Sequence, residues 1–111
     1  MGSHLSHTGA ALVLSQWYPK KLIFFDAAGV PVRTIDVGHG VVGHCFAQGA
    51  FYLATTDAEE TDEYWLSRLD PATGRVEHLA RIGFPARALA FDGTHFWTNH
   101  READQIVCFT P

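Results

Sequence analysis

The sequence predicts an all-β fold made of antiparallel four-stranded sheets. Three observations lead to this prediction. Short runs rich in aromatic and β-branched residues recur along the 111-residue chain, and no window keeps helical spacing for long. Gly, Pro and Asp stand between the runs, as in turns between strands. Some of the runs also recur at a constant spacing, which is typical of a fold built from copies of one unit.

Each candidate strand is a run of five to nine residues with a turn signal at its end. In chain order the runs are 10–18, 21–26, 30–37, 43–47, 50–56, 64–70, 75–82, 87–92, 95–100 and 105–110. Several runs are apolar on both faces, notably in 10–14 and 50–54. A strand of that kind is expected between two layers of a stacked sheet.

The repeat spacing comes from two separate alignments. Asp26 and Asp70 are 44 positions apart when "LIFFDAAGVPVRTI" is laid over "LSRLDPATGRVEHL". Gly49 and Gly93 are also 44 positions apart when "CFAQGAFYLAT" is laid over "LAFDGTHFWTN", with one residue inserted in the second copy. This is the period of a four-stranded propeller blade. The repeat therefore favours propeller-like blades over a single hairpin.

With the four strands of a blade lettered A to D, residues 10–111 are predicted to form a partial β-propeller. Strands B to D of one blade come first, a full blade spans 43–82, and strands A to C of the next blade follow. Residues 1–9 include "MGSHLSH", which looks like a remnant of expression. We expect these nine residues to be disordered or to lie outside the fold.

Two stretches resemble a known group of proteins. "FPARALAFDGTHFWTN" (84–99) and "LDPATGRV" (69–76) resemble the repeats of NHL-type and related six-bladed propellers, a group that includes gluconolactonase-like and strictosidine-synthase-like enzymes. The resemblance covers roughly residues 20–111 and implies a propeller fold. It implies little about activity, because propellers host many functions. The chain departs from the group in having only about two and a half blades.

A partial propeller leaves flat apolar faces and open strand edges uncovered. We therefore expect self-association, with a homodimer closing one ring around a two-fold axis and exchanged strands completing the blades at each junction. Three alternatives stay open at this point: a trimer, a shortened piece of a longer propeller, and a monomeric closed barrel or sandwich.

Composition narrows the classes of partner. The chain is 47% apolar and 18% charged, with a formal net charge of −4 and no basic stripe, so no nucleic-acid partner is expected. The apolar run 10–14 is far shorter than the roughly 20 residues of a membrane helix, so no membrane partner is expected. Cys45 and Cys108 lie in apolar runs and are predicted to be buried free thiols, which favours a cytoplasmic location.

Candidate binding residues gather on one rim of the predicted blades. In a meander, the loops before strand A and after strand B lie at the same end of the sheet. We expect a ligand-binding rim whose members are His39, His44, Arg87, His100 and Arg101. The acidic loop 57–63 shares this rim, and imidazole with carboxylate can hold a divalent metal. The predicted metal ligands are His44, Asp57 and Glu59, with His39 as an alternative to His44. The opposite rim is predicted to consist of turns in which Gly and Asp serve structure.

The sequence supports two hypotheses of function. The first is a non-enzymatic module without a cofactor, which binds a small ligand, peptide or protein. The second is a metal-dependent hydrolase or lyase of the lactonase-like kind. No phosphate-binding loop, nucleophile elbow or cysteine–histidine metal spacing appears, which favours the first. His78 and His95 lie within or beside strands and are expected to be structural, facing turns or blade surfaces, while Trp65 and Trp97 are expected to pack between blades.

Overall fold

The computed structural model describes residues 4–16, 18–57 and 63–110. Within these ranges the chain forms strands and turns and contains no helix. The strands are β1 (His4–His7), β2 (Leu12–Gln16), β3 (Lys21–Phe25), β4 (Pro31–Asp36), β5 (Gly40–Ala47), β6 (Ala50–Thr56), β7 (Tyr64–Leu69), β8 (Val76–Ile82), β9 (Leu89–Phe91), β10 (Phe96–His100) and β11 (Gln105–Phe109). The predicted all-β class is confirmed.

The strands form three antiparallel meanders. The first sheet has the order β1-β2-β3-β4, the central sheet β5-β6-β7-β8, and the third sheet β11-β10-β9. Each strand pairs with its neighbour in sequence, so each sheet is an up-and-down unit of the kind that the spacing of 44 indicates. Ten of the strands overlap the ten predicted runs; β1 was not predicted.

The segment expected to lie outside the fold contributes strand β1. His4 to His7 pair antiparallel with Ser15 to Leu12 of β2. The His4 backbone exchanges hydrogen bonds with the Ser15 hydroxyl, and the His4 Nδ1 accepts a bond from the His44 backbone N–H at 3.0 Å. The segment "HLSH" is too polar to be predicted as a strand. Its backbone pairs with β2, and the His4 imidazole accepts a hydrogen bond from β5. The first sheet therefore has four strands rather than the three predicted.

The aspartates of the repeated turns cap those turns, as predicted. Asp26 Oδ1 accepts hydrogen bonds from the N–H groups of Ala28 and Val30 at 2.9 and 3.0 Å. Asp70 Oδ1, at the equivalent position of the central sheet, accepts one from Ala72 N–H at 2.9 Å. In the third sheet, hydrogen bonds from the His95 N–H, the Trp97 indole and the Thr94 N–H lower the pKa of Asp92 to about 2. Turn formation thus explains these acids.

Two apolar cores lie on opposite faces of the central sheet. One core joins the first sheet to the central sheet through Val13, Leu22, Phe24, Ile35, Val37, Val41, Phe51, Leu53 and Leu69. The other joins the central and third sheets through Ala54, Tyr64, Leu66, Ile82, Ala86, Leu89 and Phe96. The central sheet is therefore the middle layer of the stack, which accounts for strands that are apolar on both faces.

The cysteines follow the prediction only in part. Both are free thiols, but Cys108 is exposed rather than buried, and Cys45 is half-buried. Burial raises the pKa of Cys45 to about 11, so its thiol stays protonated at neutral pH. Cys108 is exposed because the outer face of the third sheet has no covering layer among the described residues.

None of the described segments forms a helix of the length and apolarity that crossing a bilayer would require.

Gly43 sets the distance between β5 and β9, the strands at which the central and third sheets meet. A Cβ added there would lie 2.6–2.7 Å from the backbone of Ala88 and Leu89. Real Cβ atoms do not approach backbone so closely, and a backbone atom cannot move aside as a flexible side chain can. The residue at this position must therefore be glycine for the two strands to meet as they do.

We expect Gly43→Ala to lower the free energy of unfolding by about 1–3 kcal/mol, because the added methyl group must push β9 away from β5. Thermal and urea unfolding measure the effect. Gly83→Ala is the matched control, since a Cβ at Gly83 meets nothing within 4 Å and its φ is not in the left-handed region. Equal stability of the two variants would contradict the close approach.

Candidate functional site

The rim predicted from the meander contains a His–Asp contact. Gly40 pairs with Thr56 at the end of the central sheet, which sets the loop before β5 beside the loop after β6. There His39 Nδ1 lies 2.8 Å from Asp57 Oδ1, and both side chains are partly exposed. The expected proximity of His39 and Asp57 is thus present in the structure.

A second histidine lies against this pair. The ring centroids of His39 and His78 are 4.8 Å apart. The Trp65 ring also stacks on the His78 ring, with a centroid distance of 5.0 Å and an interplanar angle of 16°. Partial desolvation of the exposed His78 ring lowers its pKa, and the nearby His39 lowers it further, while Asp57 acts in the opposite direction. His78 therefore belongs to a cluster with His39, Asp57 and Trp65, whereas the sequence predicted only a structural role for it.

Hydroxyl groups extend this cluster into the sheet. Ser67 Oγ lies 2.6 Å from His78 Nδ1 and 2.9 Å from Thr55 Oγ1. A serine beside a histidine is the arrangement of an activated nucleophile. Ser67, however, is fully buried between the first and central sheets. A substrate cannot reach its hydroxyl in this conformation, so the Ser67–His78 bond orients the imidazole rather than preparing a nucleophile.

His44 lies in the core, not on the rim where it was predicted. It pairs with Leu53 in the core between the first and central sheets and is 1% exposed. Its ring meets the His4 ring edge-on at 5.1 Å. Neither ring nitrogen forms a regular hydrogen bond, although the Val13 backbone is near enough to offset part of the effect of burial. Burial, with a smaller contribution from His4, lowers the pKa of His44 to about 4.

The predicted metal ligands His44, Asp57 and Glu59 do not come together. His44 points into the core, away from the exposed Asp57, and Glu59 lies outside the described residues. In the part of the chain that the structure describes, no three His, Cys, Asp or Glu side chains form a group that could hold a metal ion.

The other three predicted rim residues do come together. Arg87, His100 and Arg101 line a pocket of about 540 Å³ at the end of the third sheet, together with Asn99, Asp104, Gln105 and Ile106. Asn99 Oδ1 accepts the N–H groups of Arg87 and Ala88 at 2.9 and 3.1 Å, which fixes the start of β9. The His100 ring stacks on Phe84 at 4.3 Å, so this wall of the pocket is ordered by packing.

Three residues of these sites were not predicted from the sequence: Ser67, His78 and Asn99. Each stands within a strand and gives no motif. The one available signal was the polar Ser67 within the mostly apolar strand β7; His78, on the mostly exposed strand β8, carries no comparable signal. Their pairing depends on a register shift between Leu66 and Ser67 that nothing in the sequence marks.

Comparison with known proteins gives a fold and no family. No family model matches the chain, and no curated protein matches it. Among solved structures, the crystal structure of Myxococcus xanthus glutaminyl cyclase matches with a TM-score of 0.70 and 13% identity, over 96% of this chain and 46% of that chain. The fold is of the β-propeller type. The chain spans less than half the length of that propeller-type neighbour, and at this identity the likeness concerns the fold alone.

We expect the free energy of unfolding to fall as the pH is lowered from about 6.5 toward 4. The neutral His44 is buried in the folded chain, whereas an unfolded histidine takes up a proton near its ordinary pKa of 6.5. Below that pH the unfolded state binds more protons, so acid favours unfolding, by about 3 kcal/mol once the pH passes the folded pKa.

His44→Leu should remove most of this dependence, because leucine fills the site without a titratable ring. Urea unfolding at a series of pH values between 4 and 8 measures the slope. His95→Leu, at the edge of a turn in the third sheet, is the control and should keep the wild-type slope. The same slope in the His44 variant would show that another group causes the acid sensitivity.

Proposed function

We propose that the chain is a non-enzymatic binding module of the β-propeller type that associates with a second copy and holds a small anionic ligand in the rim pocket. The observation that carries the proposal is the convergence of Arg87, His100 and Arg101 around one pocket. The finer likeness to NHL-type and gluconolactonase-like propellers remains a prediction and adds no activity to this proposal.

The charges of the pocket favour an anion. Two guanidinium groups face one carboxylate, that of Asp104, in a chain whose formal net charge is −4. Neither Arg87 nor Arg101 forms an ion pair with a described residue, since the one such pair in these ranges joins His39 to Asp57. Guanidinium groups bind carboxylates and phosphates through paired hydrogen bonds. A ligand with a carboxylate or phosphate group fits this pocket best.

A binding role accounts better for the sites than an enzymatic role does. The Ser67 hydroxyl that lies beside His78 is buried, and the ligands predicted for a lactonase-like metal site are not assembled among the described residues. The hydrolase therefore remains an untested alternative with the His39–Asp57 contact as its one supporting observation.

Self-association is supported by apolar side chains at both ends of the stack. Leu5 and Leu12 are 61% and 46% exposed on the outer face of the first sheet. Trp97 and Ile106 are 38% and 79% exposed on the outer face of the third sheet. In a propeller such faces are covered by neighbouring blades. Because the chain covers 46% of its propeller-type neighbour, two copies approach the length of that fold.

The ligand proposal is tested by titrating the protein with inorganic phosphate and with citrate in a calorimeter. We expect Arg87→Gln and Arg101→Gln each to weaken binding about tenfold or more, since each removes a charge-assisted hydrogen bond. Arg75→Gln, in the C–D turn of the central sheet, should bind as the wild type does. Absence of binding of either anion to the wild type, or equal binding by all three variants, would reject the pocket.

The pairing proposal is tested by light scattering. We expect a mass of about twice the 12.3 kDa of one chain. Leu5→Glu and Ile106→Glu should shift the protein toward one chain, because each sets a charge on an end face. Val30→Glu, at a side chain 53% exposed in a turn, is the control and should leave the mass unchanged. A stable single chain in the wild type would refute pairing and leave the ligand pocket to its own test.

A further inference from the structure

His39 and His78 form a pair of imidazoles at the joint between the first and central sheets. His39 lies in the loop that links β4 to β5, and His78 lies on the outermost strand of the central sheet. Their ring centroids are 4.8 Å apart with the planes tilted by 56°. His78 is exposed and the His39 side chain is 30% exposed, so both rings are open to solvent.

The same nitrogen of each ring is held by the protein. Asp57 Oδ1 lies 2.8 Å from His39 Nδ1, and Ser67 Oγ lies 2.6 Å from His78 Nδ1. The Ser67 hydroxyl has a further partner in Thr55 Oγ1 at 2.9 Å, so it can accept a hydrogen bond from His78 Nδ1–H while it donates its own hydrogen to Thr55. When Nδ1 of each ring donates to its oxygen partner, the lone pair of that ring is on Nε2.

Metal-binding histidines have this second layer of contacts. A histidine ligand usually donates one ring N–H to a carboxylate or another oxygen, which fixes the tautomer and makes the free nitrogen a better ligand. Here two adjacent histidines share that arrangement, and neither Nε2 makes a hydrogen bond with a described residue. Packing needs none of these features, since stacking on Trp65 alone would hold the His78 ring.

We propose that His39 and His78 bind one divalent transition-metal ion through their two Nε2 atoms, with Asp57 and Ser67 as positioning residues. Imidazole suits Cu²⁺, Ni²⁺ and Zn²⁺ and not Ca²⁺ or Mg²⁺, which prefer oxygen ligands. No third His, Cys, Asp or Glu among the described residues joins the group, so water completes the coordination. The site differs from the predicted set of His44, Asp57 and Glu59, and it is independent of the anion pocket and of pairing.

Trp65 provides a direct readout. Its ring stacks on His78 at 5.0 Å, so Cu²⁺ bound to His78 should quench Trp65 fluorescence. We expect saturable quenching at micromolar Cu²⁺, and its loss in Trp65→Phe, which keeps the other two of the three tryptophans. Zn²⁺ does not quench; added alone it should raise the melting temperature of the protein, and because Cu²⁺ binds imidazole more tightly, only a large excess of Zn²⁺ should restore the emission of the copper-bound protein. Ca²⁺ and Mg²⁺ should do none of these.

Variants of the two ligands decide whether the site has two histidines. We expect His39→Ala and His78→Ala each to abolish the saturable quenching, and His95→Ala, remote on the third sheet, to keep it. If only His78→Ala removes it, a single imidazole binds copper and the two-histidine site is refuted. If neither does, the metal binds elsewhere and the proposal fails.

The variant Asp57→Asn separates a loss of metal affinity from a loss of folding. The exposed amide should leave the melting temperature of the metal-free protein unchanged, while the affinity for Zn²⁺ falls about tenfold or more. A purely structural role of the His39–Asp57 contact would instead lower the melting temperature and leave the affinity unchanged. Circular dichroism of each metal-free variant shows whether it is folded.

Discussion

The central sheet is apolar on both faces, and the structure depends on covering both. Its one face buries Leu53 against the first sheet, and its other face buries Leu66 against the third. A sheet of four short strands could not cover either face alone, so the three sheets fold as one stack. Strand β5 passes close to the backbone of β9 at Gly43, which leaves no room for a side chain there.

This stacking also decides where the polar groups can act. Three polar residues are buried between the first and central sheets: Thr55, Ser67 and His44. Thr55 and Ser67 hydrogen-bond to each other, and Ser67 also hydrogen-bonds to His78 at the solvent edge, so both hydroxyl groups are satisfied. His44 lies deeper, where its ring lies against the rings of His4 and Phe51, and burial keeps it neutral. Distance from the rim thus separates polar groups that can serve chemistry from one that only destabilises the core.

Local sequence predicted the repeated unit well because that unit depends on local chemistry. Asp26 and Asp70 cap equivalent turns, and Gly49 and Gly93 both adopt positive φ at equivalent turns. Such features show in a few adjacent residues, whatever the rest of the chain does. The same reasoning found the His39–Asp57 contact, since a meander brings the two loops to one rim.

What failed was the prediction of faces and of β1. Strand β5 begins at Gly40, three residues before the predicted start, so His44 lies within the strand and not in the loop before it. The register shift between Val41 and Gly43 decides only which of the two cores His44 enters, and nothing in the sequence marks it. Strand β1 was missed because its contacts, such as that between His4 and the distant His44, are not local. His78 was missed for the same reason, since its partners come from other strands.

The anion pocket and the proposed pairing surface are not independent, because they share Ile106. This side chain lines the pocket and is also the most exposed large apolar residue of the third sheet. A two-fold dimer that buries the outer faces of the first and third sheets must pack the third sheet of one copy against the first sheet of the other. The symmetry produces this contact twice. Pairing would then cover Ile106 and narrow the pocket from one side, while His39 and His78 lie at a joint inside one chain. Ligand affinity in the pocket should therefore rise with protein concentration, whereas metal affinity at the two histidines should not.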